Sequence, residues 1–200
     1  MRKRKLPDNS NNETAGQPGK KTTITFTIDK AFLDTIKKDA EREGMSINST
    51  VNTVLQKYAL CYRYTEKDRS IIVPFKFAQV MLNQIDEQKL LGYYRSIVHD
   101  LVPSKFMQSK IPLTLQNWIR HYCNGVMIYS GAINSFSTYL DDDGHLCLVF
   151  GHDYGVKWSK ILDVVLSGFI EDVLSHHTSH SVLSTSVEVK ILERNVSGIH

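Results

Sequence analysis

Alternating threonines and clustered histidines are the residues of this chain best suited to contact a ligand or partner. Thr23, Thr25 and Thr27 alternate with Ile24, Phe26 and Ile28, so a strand here would present three hydroxyls on one face and three apolar side chains on the other. A threonine hydroxyl donates or accepts a hydrogen bond, and its methyl offers a small apolar contact. His176 and His180 stand four apart after a long apolar helix. That spacing holds a divalent metal if the helix runs on through them. A polar helix end is the alternative, since histidine also suits the negative end of the helix dipole.

The remaining polar clusters point to structure more than to chemistry. His145, Cys147 and His152 lie on or after one strand and lack a fourth ligand for a closed zinc site. Asp141, Asp142 and Asp143 lack the spaced donors and late Glu of a calcium loop, and read as a solvated turn. The loop Gly151-His152-Asp153-Tyr154-Gly155, with Trp158 one turn on, is the best place for a small-molecule contact. A Gly-flanked turn that buries Trp158 in the core is the plainer reading. The chain has no phosphate-cradling Gly loop, no Gly-x-Ser-x-Gly elbow and no Cys-x-x-Cys pair, so no catalysis is expected.

Composition sets the frame. The 200 residues are 42% hydrophobic and 22% charged, as in an ordinary globular protein. The net charge of +3 is concentrated at the front, where residues 1–21 hold six basic side chains against two acidic ones. An anionic partner for the N-terminal part follows. No apolar run is long enough for a membrane span or a signal peptide. Cys61, Cys123 and Cys147 are scattered and odd in number, which suggests buried thiols in a reducing compartment. A cytoplasmic protein without a membrane partner is expected.

Residues 1–20 are polar and rich in Asn, Lys, Pro and Gly, and read as a disordered basic arm. The segment 21–63 runs strand, helix, turn, helix. Asp29 is placed to cap the first helix, Gly44 to end it in the left-handed conformation, and Ser46 to cap the second. Ala31, Phe32, Ile36 and Ala40 form one apolar stripe; Val51, Val54, Leu55, Tyr58 and Ala59 form the other. A strand this short is not stable alone, so the segment implies a dimer. Residues 64–70 read as a linker. Over 71–200 the pattern predicts a strand at 71–73, helices at 75–85, 87–102 and 113–129, a hairpin of 135–140 with 145–150, a helix over 156–174 and a strand over 186–192. The fold class is α+β, and the order in 71–200 resembles a split βαβ, ferredoxin-like sandwich with inserted helices.

The ITFTID junction, Ala40 four residues before Gly44, and GMS opening the second helix together resemble the ribbon–helix–helix family of transcriptional regulators. The resemblance covers residues 22–60. It implies that two chains pair their strands into one antiparallel ribbon that enters the major groove of double-stranded DNA. Thr23, Thr25 and Thr27 would face the bases, and Ile24, Phe26 and Ile28 would form the shared core of the dimer. Ser46, Ile47 and Asn48 would meet a phosphate at the helix start, with Lys20 and Lys21 adding salt-sensitive attraction. Family members often carry Arg, Lys, Asn or Gln among the base readers; here all three are Thr.

The expected function is therefore operator binding by a homodimer or higher oligomer, with 71–200 as a ligand-sensing or assembly domain. No cofactor is required, and a small molecule or divalent metal is a candidate effector. Two alternatives stand beside it: an antitoxin-type interaction module, and a metal-binding domain with a DNA-tethering head.

Overall fold

The computed structural model describes residues 22–63 and 73–193. Lys20, Lys21, the basic arm, the linker and most of the strand expected at 71–73 lie outside these residues. The chain is mixed α+β: helices first, then a four-stranded sheet carrying one central helix.

Helix α1 spans Lys30–Arg42 and α2 spans Ile47–Lys57. The second continues without a break into a π-helical turn, Tyr58–Tyr62, called π1. Helix α3 (Phe75–Gln84) and the long α4 (Glu87–Gln108) follow, the latter capped by the Asp86 carboxylate on the Lys89 N–H. A single turn, α5 (Leu115–Asn117), capped by Thr114, opens directly into a ten-residue π-helical stretch, π2 (Trp118–Met127). Helix α4 corrects an expectation: it does not stop at Pro103. The ring removes one backbone donor, but continuing buries Phe106, 6% exposed, beside Val102 and Val98.

Strands β1 (Ser135–Leu140) and β2 (Leu146–Gly151) form the expected hairpin. Its turn is held by the Asp141 carboxylate, which accepts the N–H groups of Asp143 and His145. Gly144 takes the φ of +80° that the turn needs. Helix α6 (Val156–Asp172) leads to β3 (Thr178–Val182) and β4 (Ser186–Ile191). All neighbours in the order β1-β2-β4-β3 are antiparallel, so β2 and β3 run parallel with β4 between them. Strand β3 was not foreseen. It is an edge strand of sequence TSHSV, with too few apolar residues to show a period-2 pattern.

Register decides what is buried. Leu146 pairs with Ile191, Leu148 with Val189 and Phe150 with Val187, and all six side chains lie in the core. Helix α6 covers this face with Ile161, Leu162, Val165, Leu166 and Phe169, and α4 packs along α6. The Trp118 ring stacks on Phe169 with centroids 5.6 Å apart, which ties π2 into the same core. The N-terminal helices dock on this body through π1. Gly125 of π2 lies so close to Leu60 that a Cβ there would approach the Leu60 Cβ to 3.1 Å. The Tyr129 O–H donates to Gln56 Oε1 at 3.4 Å across the same contact. No helix among the described residues is long and apolar enough to cross a membrane.

One buried pair makes stability pH-dependent. His152, 1% exposed, accepts the Tyr154 N–H at Nδ1, so Nε2 carries the proton toward Ser159 Oγ at 2.9 Å. Burial holds the imidazole pKa below its ordinary 6.5, with Asp153 opposing. The unfolded chain then takes up a proton that the folded chain resists, so this contribution is complete above 6.5 and declines as pH falls through it. Urea unfolding of wild type and His152→Asn across this range should show the stability difference between them shrinking below 6.5. A pH-independent difference would contradict the assignment.

Candidate nucleic-acid interface

Residues 22–63 build two helices joined by a tightly specified turn. The Asp29 side chain accepts the Ala31 N–H at 2.8 Å, with its own backbone extended at ψ 137°. At the far end Gly44 takes φ +64°. The Gly44 N–H donates to the Glu41 carbonyl and the Met45 N–H to the Ala40 carbonyl at 2.8 Å, the two bonds of a Schellman stop. Ser46 then starts α2, its Oγ accepting the Ser49 N–H at 3.1 Å. Ala40, 2% exposed, is small enough to let the two helices close on each other.

The start of α2 presents the groups expected of an anion contact. Ser46, Ile47 and Asn48 are all exposed, and the first-turn amides of Ile47 and Asn48 have no acceptor within the helix. Thr23, Thr25 and Thr27 are exposed as well. Residues 22–29, however, have no regular secondary structure in the single chain, which corrects the strand expected there. The physical reason is plain: a strand needs a ladder partner, and one chain supplies none. Ile24 and Phe26 are left 69% and 56% exposed, and Ile28 is half-buried. Phe32, Val54, Leu55 and Tyr58, from the two helical stripes, are exposed too.

The histidines do not take the helical spacing proposed for a metal. Helix α6 ends at Asp172, and Ser175 turns the chain with φ +60°. His176 lies in the connection, 3.4 Å from the Glu193 carboxylate, while His180 lies on β3 with Nδ1 2.6 Å from Asp163 Oδ1. The two rings thus face different carboxylates. Burial pushes the Asp163 carboxyl up and the His180 ring pulls against it.

Asp141, Asp143 and His145 do bring three potential ligand atoms together. Yet Lys190 Nζ sits 2.6 Å from Asp141 Oδ2 and already supplies the counter-charge, holding that carboxyl well below the usual range. The Gly151–Gly155 loop is likewise used internally. Asn134 donates to Asp153 at 2.8 Å, Tyr154 O–H to the Gly131 carbonyl, and the buried Trp158 to the Ala132 carbonyl at 2.8 Å. Cys147 is fully buried, and all three cysteines are free.

Sequence reasoning missed one concave feature. A cleft of about 40 Å³ opens where π1, the end of α4 and π2 meet, lined by Leu60, Arg63, Lys105, Phe106 and His121 among others. Its residues come from three distant segments, so no local pattern signals it.

Comparison with protein-family models, curated proteins and solved structures gives no match.

The turn geometry sets a stability test. Gly44→Ala should cost about 1 kcal/mol in urea unfolding, because a Cβ at positive φ meets its own carbonyl. Gly44→Asn should cost less, since asparagine tolerates that region. Ser46→Ala should cost about 1 kcal/mol for the lost cap. Equal stability of Gly44→Ala and wild type would rule out the left-handed stop.

Proposed function

We propose that this protein is a sequence-specific DNA-binding transcriptional regulator that acts as a dimer, of the ribbon–helix–helix type. The observation that carries the reading is the combination at residues 22–62. A capped helix pair with a glycine stop follows an alternating Thr/apolar segment, and Ile24, Phe26, Phe32, Val54 and Leu55 stay exposed in one chain. Burying a large apolar side chain is worth about 1.5–3 kcal/mol, so a second copy offering the same surface gains on both sides.

In the dimer the two segments pair antiparallel, which gives each strand its missing ladder. Ile24, Phe26 and Ile28 turn inward onto Phe32, Val54 and Leu55. Thr23, Thr25 and Thr27 turn outward into the major groove, where a two-stranded ribbon fits. The exposed amides at Ile47 and Asn48, with Ser46, clamp a backbone phosphate, and Lys20 and Lys21 add charge. With threonine at all three reading positions, bidentate recognition of guanine or adenine is missing from the ribbon. Discrimination then leans on methyl contacts and on DNA shape.

We read residues 71–200 as a ferredoxin-like sandwich serving sensing or assembly. The β2–α6–β3 crossover split by β4 supports that fold. The continuous core from Leu90 to Ile191 favours a domain folded by itself over an antitoxin tail that folds on a partner. Repressor action in the cytoplasm, without enzymatic chemistry, completes the proposal.

Selection of bound duplexes from a random library at about physiological salt tests this directly, because non-specific phosphate binding is weakened there. An inverted repeat should be enriched. Thr25→Ala/Thr27→Ala should lower affinity for it by about tenfold while leaving the fold intact. Phe26→Glu should yield a monomer by light scattering and lose the duplex, because a carboxylate cannot enter the shared core unpaired. No enrichment, or full affinity in the threonine variant, would contradict the ribbon as reader.

A further inference from the structure

The cleft at the junction of the two halves has a chemical character of its own. Leu60, Val102 and Phe106 make an apolar wall. Arg63, Lys105 and His121 line the same space, whose surface is mostly apolar. Arg63, Lys105 and Ser109 already have interactions within the chain, and a ligand would share these groups with their present partners. The His121 ring also packs edge-on against Phe106, with centroids 6.4 Å apart. Burial first, then Arg120 and Arg63, hold its pKa down, so it stays neutral and able to donate one hydrogen bond. A single water needs about 10–15 Å³ by the measure that makes this cleft about 40 Å³, so a group of several heavy atoms fits.

The backbone around the cleft is unusual. Leu60 lies on π1, and His121, Tyr122 and Val126 lie on π2. The i→i+5 turns are rare and concentrate at functional sites. Here two of them press together at the Leu60–Gly125 contact, one continuous with α2 and the other anchored in the core by Trp118.

We propose that this cleft binds a small organic carboxylate, with its alkyl body on Leu60, Val102 and Phe106 and its charge toward Lys105, Arg63 and His121. Because the ligand touches both π1 and π2, its occupancy biases how α2 is seated on the C-terminal half. That regulatory consequence rests on the DNA-binding reading; the binding itself does not.

The test begins with full-length protein and no DNA. Acetate, butyrate and benzoate are titrated in calorimetry and thermal unfolding beside butanol, butylammonium and inorganic phosphate. At least one carboxylate should bind and raise Tm by about 4 °C or more near saturation, while butanol and butylammonium should not. Lys105→Met, which keeps the alkyl stem and drops the charge, should weaken that carboxylate about tenfold. Val126→Phe should fill the cleft and abolish the response. If Val126→Phe does not fold, the Lys105→Met comparison decides alone. No response to any carboxylate, an equal response to butanol, or an equal shift with phosphate would overturn the assignment. With the selected duplex, the bound carboxylate should change affinity at least about threefold. Carboxylate binding with unchanged duplex affinity removes the regulatory step and leaves the site. A protein that binds carboxylate but no duplex refutes the DNA-binding reading alone.

Discussion

Residues 22–29 carry two large apolar side chains, Ile24 and Phe26, that one copy of this chain leaves exposed, and the functional account depends on that constraint. Ile24 and Phe26 stand mostly in water, and Phe32, Val54, Leu55 and Tyr58 are exposed as well. The C-terminal body encloses Trp118, Phe150 and Phe169 fully, while Phe77, Tyr93, Met107, Leu140 and Leu183 stay exposed on its surface. What sets residues 22–29 apart is that this exposure coincides with an alternation that calls for a strand partner. In the proposed dimer, pairing two copies would supply backbone hydrogen bonds and an apolar core together, and would turn the three threonines to a common outer face.

The C-terminal body explains how such a unit is carried. Leu60 seats against Gly125, and α2 runs through π1 into that contact without a loop between. Because α2 and π1 form one continuous helix, a shift of π1 on π2 would carry α2 with it. The cleft beside this contact lies where such a movement would be felt.

Legibility in the sequence followed locality. Asp29, Gly44 and Ser46 act within a few residues of themselves, and each takes the capping or stopping role its type suggests. The hairpin at Asp141–Gly144, helix α6 and the alternating β4 were readable for the same reason. Features set by tertiary packing were not. Pro103 looked like a helix stop because the burial of Phe106 beyond it cannot be seen locally. β3 looked like a frayed helix end because its partner β4 comes later and its own residues are polar. His176 and His180 would face one ligand only on a continuous helix, and the chain leaves the helix at Asp172. The cleft draws on residues 60, 105 and 121, whose proximity exists only in the folded chain.

The most direct measurement is amide hydrogen exchange across residues 22–29 as protein concentration is raised. An antiparallel ribbon between two chains protects alternate amides of this segment, and the protection grows with concentration because dimer formation does. Exchange of every amide in 22–29 at the unprotected rate, at all concentrations, would contradict the pairing and with it the proposed mode of DNA reading.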